Sequence, residues 1–125
     1  VSGETFTAED GHVYELKGYD PVVLEKASKL EKVVMGFRPE SCSIEELKGE
    51  NVLKESIVVE VAEMLGDTMN IYGYIDKTSV VVRTTPFTKY EVNKPLRFDV
   101  SYDHIVFFDA KSENIIDEKF VVEEE

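Results

Sequence analysis

The middle of the chain carries its densest alternation of apolar and polar positions. Between residues 57 and 85, three runs rich in valine, isoleucine and tyrosine are separated by two short polar breaks. β-Branched and aromatic side chains favour strands, and breaks of about three residues join neighbouring strands antiparallel, because a parallel return needs a longer crossover. The pattern therefore predicts a β-meander of three strands, over residues 57–65, 69–75 and 79–85.

Alternation within the second strand separates a core face from an outer face. Ile71, Gly73 and Ile75 share one side, which should cover a core. Tyr72 and Tyr74 share the other side. A glycine in the middle of a strand indicates a bend, a bulge or a close backbone approach, and so a curled sheet or small barrel. The residues expected in the core are Val59, Val61, Leu65, Ile71, Ile75, Val82, Phe98, Val100 and Phe107.

The first third of the chain predicts a small β lobe followed by a helix. Two strand candidates, over residues 4–7 and 12–17, surround an Asp-Gly pair that favours a hairpin turn. Asp20 is a good helix cap and Pro21 suits the first helical position, so we expect a helix over residues 20–32.

The remaining segments predict further short strands. Pro39 should end a strand over residues 33–37. Ser43 and Glu46 have the spacing of a capping box, which predicts a short helical turn over residues 43–48. Alternation predicts a half-buried strand over residues 96–102, followed by short strand segments at 105–108 and 115–116.

These elements predict an all-β fold with a minor α component. The length of the chain indicates one domain over residues 1–125. Within it we expect a hairpin-and-helix lobe in 1–32 and an antiparallel barrel in 33–120. The chain begins at Val1 rather than methionine, which we interpret as a sign of a longer polypeptide, with processing of the N-terminus as the alternative.

The charge balance excludes several classes of partner. The net charge is −12, from 14 basic and 26 acidic residues. Proteins that bind nucleic-acid backbones or anionic membranes depend on lysine and arginine, so neither nucleic acid nor membrane insertion is expected. The single cysteine, Cys42, rules out an internal disulfide, and nothing resembles a signal peptide or a membrane span. Together these features favour a reducing, soluble setting.

Motifs that carry chemistry are absent from the sequence. It contains no glycine-rich phosphate loop, nucleophile elbow, zinc-binding helix motif or cysteine pair. Nearby glutamates should raise the pKa of Cys42, which argues against a nucleophile. His12 is interpreted as a structural or surface residue, with a ligand role as the alternative. We therefore predict no catalytic, cofactor-binding or metal-binding residues in this chain.

Three segments resemble a known family. Residues 36–40 read G-F-R-P-E, residues 59–68 fit V-x-V-x-E-x-L-G-x-x, and residues 107–112 resemble a closing F-D turn. In this order and spacing they resemble the C-terminal regulatory domain, named TOBE, of sugar-type ABC transporter ATPase subunits, the relatives of the maltose and glycerol-phosphate importer ATPases. The resemblance is strongest over residues 33–116 and implies an OB-type barrel.

The resemblance implies a non-catalytic regulatory and dimerisation domain of an ABC importer's ATP-binding subunit. It also implies an upstream ATPase domain that uses ATP and magnesium and that contacts the permease subunits. The resemblance further implies a homodimer with a cytoplasmic location at the inner face of the cell membrane. The alternative is a sensor of a small ligand, either a sugar or an oxyanion. A nucleic-acid-binding OB domain is disfavoured by the negative charge.

Five residues are candidates for an interface. Tyr72 and Tyr74 should form its centre, because tyrosine is enriched at interfaces and both lie opposite the core face. Phe37 is a further aromatic candidate, and Arg38 and Glu40 should lie near the rim. Two alternatives stay open: the tyrosines pack under the N-terminal lobe, or Arg38 and Glu40 form a structural ion pair.

We expect this chain alone neither to bind nor to hydrolyse ATP, because its sequence contains no phosphate-cradling loop. Titration calorimetry with magnesium ATP should therefore give no binding heat. Micromolar affinity in this titration would contradict the prediction.

Overall fold

The computed structural model describes residues 1–117 and 119–121, over which the chain forms nine strands, one α-helix and two short 3₁₀ turns. Positions 118 and 122–125 lie outside the described residues, as do the corresponding parts of the predicted barrel and domain. The strands are β1 (Thr5–Thr7), β2 (Val13–Glu15), β3 (Val33–Gly36), β4 (Cys42–Ser43), β5 (Val52–Met64), β6 (Met69–Ile75), β7 (Thr78–Thr84), β8 (Pro95–Ser101) and β9 (Val106–Asp109). The helix α1 spans Pro21–Ser28, and the 3₁₀ turns span Pro39–Ser41 and Tyr102–His104.

Five strands form one antiparallel sheet in the order β4-β8-β5-β6-β7. The predicted meander is present as β5, β6 and β7, and β6 has the predicted bounds. β5 begins at Val52, earlier than predicted, because its first half pairs with β8 and its second half with β6. The sheet curls into a half-barrel that brings its edge strands β4 and β7 near each other. The expected all-β, OB-like fold with one helix is confirmed.

Two strand pairs and the helix complete the molecule. β1 and β2 form the predicted N-terminal hairpin, and β3 pairs with β9. Asp20 caps α1 by accepting a hydrogen bond from the Val22 amide at 3.0 Å. The helix ends at Ser28, before the predicted residue 32, because the next two amides bond to carbonyls three positions back in the tighter 3₁₀ pattern.

Most of the predicted core is confirmed, but two positions are wrong. The buried members are Val59, Ile71, Ile75, Val82, Phe98, Val100 and Phe107. Val61 is 52% exposed and Leu65 is 43% exposed. A β-bulge in β5 shifts the register, so that Val59 lies opposite Gly73 but Val61 lies opposite Tyr72. One extra residue exchanges the two faces of a strand, which turns Val61 outward, and Leu65 lies beyond the end of β5.

Gly73 permits a close backbone approach between β5 and β6. A Cβ atom at this position would overlap the carbonyl oxygen of Val58 and press on the Ile57 side chain. The sequence indicated a bend, bulge or close approach at Gly73, and the structure has the close approach beside the bulge. Only glycine fits here, because any side chain would push β5 and β6 apart.

The predicted capping box does not form. Instead of a helical turn over residues 43–48, Ser43 lies in β4 and pairs with Asp99 of β8. Its hydroxyl donates to the Glu45 carbonyl at 2.7 Å. The strand pairing fixes an extended backbone at Ser43, so its side chain has no helix to cap. The second short prediction, at 115–116, is present only as a single bridge between Ile115 and Phe108.

A polar cluster joins the N-terminal hairpin to the large sheet. The His12 ring lies between two carboxylates, with Nδ1 at 2.6 Å from Asp76 and Nε2 at 3.0 Å from Glu55. Asp10 accepts hydrogen bonds from the Thr78 hydroxyl at 2.6 Å and from the amide before it at 3.1 Å. We call Asp10, His12, Glu55 and Asp76 the hairpin latch. These contacts agree with a structural role for His12.

The geometry of the latch favours a charged His12. Both ring nitrogens face carboxylate oxygens, and the imidazolium is the form of the ring that donates from both nitrogens at once. Burial alone lowers the pKa of His12, but hydrogen bonds and charge attraction from Glu55 and Asp76 outweigh it, so this pKa lies above its usual 6.5. The pKa of Asp10 lies below its usual value, chiefly because Thr78 donates to its carboxylate.

The bulge predicts different costs for two valines of the same strand. Val59→Ala should lower the free energy of unfolding by about 1.5–3 kcal/mol, because it removes buried methyl groups. Val61→Ala should lower it by less than about 0.5 kcal/mol, because Val61 faces solvent. Urea denaturation of dilute protein measures both values. Equal losses would place Val61 in the core.

The hairpin latch predicts that the free energy of unfolding decreases as the pH rises through the pKa of folded His12. A histidine whose pKa is raised by folding stabilises the fold fully below its unfolded pKa of 6.5, and this contribution is lost as the pH rises through the folded pKa. Urea denaturation over a pH series should show this loss in the wild type and not in His12→Gln. His104→Gln is the control, because His104 has no hydrogen bond to a described carboxylate. The same loss in His12→Gln would exclude the latch.

Candidate functional site

The outer face of the meander carries a continuous uncharged surface. Val58 lies opposite Tyr74, Val61 lies opposite Tyr72, and Tyr72 lies opposite Val81 on the next strand. We call these five residues the outer strip. Val58, Val61 and Tyr74 are 48%, 52% and 40% exposed, and the other two are half-buried. Cross-strand neighbours on one face lie about 4.5–5.5 Å apart, so the five side chains form one patch.

Acidic residues of β5 hold the polar ends of both tyrosines. A hydrogen bond with the Glu60 carboxylate raises the pKa of Tyr74, with a smaller effect from its charge. The Tyr72 hydroxyl lies 3.5 Å from a Glu63 oxygen, at the limit of a hydrogen bond. The rings of Tyr72 and Tyr74 therefore lie across the strip, and their hydroxyl groups lie at its acidic margin. This arrangement offers a partner an aromatic surface with a charged rim.

The five predicted interface residues do not all lie on one surface. Tyr72 and Tyr74 lie together on the outer strip, and the exposure of Tyr74 argues against packing under the N-terminal lobe. Phe37 is half-buried, and its ring centre lies 6.1 Å from that of the buried Phe98, so it faces the interior. Arg38 and Glu40 are exposed near β7, and these two described residues form no ion pair with each other. Their role at an interface stays a prediction.

Sequence reasoning missed three members of the outer strip. Val58 was not singled out, Val61 was assigned to the core, and Val81 lies in a run that is apolar on both faces. Simple alternation cannot place Val61, because the bulge lies directly before it, between Val59 and Val61. The signal that could have indicated the bulge is Gly73, which faces the bulged segment.

An open cleft lies at the seam between the two edges of the half-barrel. It has a volume of about 1190 Å³ and is lined by residues within 40–47 on one side and within 83–89 on the other. Asp67, Thr68, Ser101 and His104 complete its lining. We call this the seam cleft. Its lining combines many hydroxyl groups with charges of both signs and one aromatic ring, Phe87.

Cys42 lies in the wall of this cleft but has no nucleophilic character. It is a free, buried thiol. Burial, and to a smaller degree the charge of Glu40, raises its pKa to about 12. The sequence predicted the direction of this shift from the glutamates, whereas the larger cause is burial. At neutral pH the sulfur keeps its proton, so it cannot act as a thiolate.

The described part of the chain lacks two features. Among these residues, no group of three or more histidine, cysteine, aspartate or glutamate side chains could hold a metal ion. No helix in the described ranges is long and apolar enough to cross a membrane.

Comparison with known proteins relates the chain to ABC transporters. No protein-family model matches it. It is similar to the uncharacterized ABC transporter ATP-binding protein YurJ of Bacillus subtilis (strain 168), with 30% identity over 95 residues. The match covers 74% of this chain and 25% of that protein, so the chain spans about a quarter of the length of this relative. The similarity supports an ABC ATPase-associated domain.

Proposed function

We propose that this chain is the non-catalytic regulatory and dimerisation domain of the ATP-binding subunit of an ABC importer, for a sugar or related solute. The similarity to an ABC transporter ATP-binding protein and the OB-like fold support this function. In the whole protein an upstream domain would bind ATP and magnesium and contact the permease subunits. That protein would be cytoplasmic and peripheral to the inner face of the cell membrane.

The outer strip is the observation that carries the dimerisation role. Val58, Val61 and Tyr74 are exposed side by side on a domain that otherwise carries a net charge of −12. Charged groups are depleted and tyrosine is enriched at the centre of interfaces, as they are on this strip. A twofold contact would place the same surface of two copies face to face, with Tyr72 and Tyr74 at its centre.

The acidic rim sets the conditions for this contact. Glu60 and Glu63 flank the tyrosines, and two copies at −12 repel each other. Salt screens charges that are more than roughly 8 Å apart at physiological ionic strength. Association through the strip should therefore strengthen as salt is added, which is the opposite of a contact held by ion pairs.

A dimer of this domain has a clear physical use in a transporter. Two ATPase domains must meet and separate repeatedly during transport. A permanent contact between their attached regulatory domains keeps them at a high effective concentration while they are apart. The regulatory domain then influences ATP use without any catalytic group of its own.

Light scattering of the chain over a range of concentrations tests this function. The wild type should self-associate more strongly in moderate salt than in low salt, and Tyr72→Ala/Tyr74→Ala should be monomeric. Val61→Asn should weaken association, whereas Val13→Asn should not. Val13 is the matched control because it is also a strand valine, with 47% exposure, but lies on β2 of the N-terminal hairpin and not on the meander. A wild type that is monomeric at every concentration up to about millimolar would contradict the proposal.

A second candidate function is small-ligand sensing. The observation that favours it is the seam cleft, which combines polar and aromatic groups. Arg83 of the cleft and Val81 of the outer strip lie two positions apart on β7, so ligand binding and dimerisation would use neighbouring surfaces.

A further inference from the structure

We infer that the seam cleft is a binding site for a neutral oligosaccharide. The inference deepens the small-ligand candidate above and does not depend on dimerisation. It follows from the size of the cleft, the exposure of the Phe87 ring, the hydrogen bond that orients Arg83, and the net charge of the lining residues.

The size of the cleft suits a ligand of several sugar rings. Its volume of about 1190 Å³ exceeds the roughly 300–1000 Å³ that is common for sites enclosing a small compact ligand. The cleft follows the seam where β4 and β7 approach without pairing. A chain of several sugar rings could lie along such a seam and remain partly in solvent.

Phe87 offers a stacking surface at the side of the cleft. It lies in a turn that is closed by a hydrogen bond from the Thr88 amide to the Thr85 carbonyl at 3.2 Å. Pro86 at the second position of the turn restricts the backbone, and Phe87 follows it with 91% of its surface exposed. The negative face of an aromatic ring attracts the weakly positive C–H groups on the face of a sugar ring. A turn that holds the ring in solvent leaves this face available.

Arg83 supplies hydrogen-bond donors, and a bond to Asn70 fixes the orientation of its guanidinium group. Its Nε donates to the side-chain oxygen of Asn70 at 3.0 Å, and Asn70 is buried. This bond uses one of the five guanidinium N–H groups, and Arg83 lines the cleft. A guanidinium held in one plane can donate to two neighbouring hydroxyls of a ligand.

Threonine hydroxyls on the same wall can both donate and accept. The Thr84 and Thr88 hydroxyls lie 2.8 Å apart, and the Thr85 hydroxyl lies 3.4 Å from that of Thr88. A hydroxyl donates one hydrogen bond and accepts others, so each can rotate to match a sugar hydroxyl. Such a wall suits a ligand whose surface is itself made of hydroxyl groups.

The charge of the lining disfavours an anionic ligand. Glu40, Glu45 and Asp67 contribute three negative charges, and Arg83 and Lys89 contribute two positive charges. The whole chain adds a net charge of −12. A phosphate, an oxyanion or a nucleic-acid strand would meet a net negative surface, whereas a neutral polyhydroxyl ligand can use the carboxylates as hydrogen-bond acceptors.

Titration calorimetry of the chain tests the inference, with maltohexaose, cellohexaose and xylohexaose as neutral probes. Inorganic phosphate, molybdate and a galacturonate hexamer are the anionic probes. At least one neutral probe should bind with a Kd below about 1 mM, and more tightly than every anionic probe. Phe87→Ala should weaken this binding by about tenfold or more, and Phe87→Trp should retain it.

Tyr90→Ala is the matched control for Phe87→Ala. Tyr90 is a nearby aromatic residue with 40% exposure that does not line the cleft, so its removal should leave the affinity unchanged. The inference is wrong if no neutral probe binds, if an anionic probe binds more tightly, or if Phe87→Ala and Tyr90→Ala have the same effect. Light scattering of the same samples separates the two ideas: a chain that dimerises without binding sugar contradicts only this inference, and a monomer that binds sugar contradicts only dimerisation.

Discussion

The pairing of β5 with β6 at Gly73 is the contact on which the rest of this structure depends. Here the backbones approach so closely that no side chain fits, and the adjacent bulge inserts one residue into β5. A bulge increases the local twist and bends the strand. The resulting curl brings β4 near β7 and so produces the seam cleft. The same extra residue turns Val61 outward and thereby completes the outer strip.

Buried and half-buried carboxylates hold the surrounding segments in place. Asp99 is fully buried, with one oxygen 2.6 Å from Arg97 and the other accepting from the Leu47 amide at 2.9 Å. A buried carboxylate is tolerated only when its oxygens are paired in this way. Its contact with Leu47 positions one wall of the seam cleft, as the hairpin latch around His12 positions the N-terminal hairpin. An acidic chain thus uses several of its negative charges as structural acceptors.

The outer strip and the seam cleft give the domain two neighbouring surfaces. The strip is uncharged and built from neighbouring strands, which suits contact with another protein surface. The cleft is concave, combines hydroxyl and charged groups with apolar surface, and lies between elements that are distant in sequence. Both rest on the same five-stranded sheet, and β7 contributes Val81 to the strip and Arg83 to the cleft. A ligand in the cleft therefore contacts a strand that also belongs to the strip.

Local patterns in the sequence determined much of the fold. The strand over 69–75, the outward tyrosines, the Asp20 cap of α1 and the N-terminal hairpin all depend on neighbouring residues, whose periodicity and turn chemistry act at short range. These features were therefore predictable, as was the raised pKa of Cys42 in its direction.

Only the tertiary structure decided which strands pair at which register. Ser43 lies in a strand rather than a helix because it pairs with Asp99, fifty-six positions away. The bulge that exposes Val61, the latch between His12 and Asp76, and the meeting of Thr84–Thr88 with residues 40–47 are likewise contacts across long stretches of chain. Alternation along one strand carries no information on the strand it pairs with, so residues brought together by the curl of the sheet could not be grouped from sequence alone.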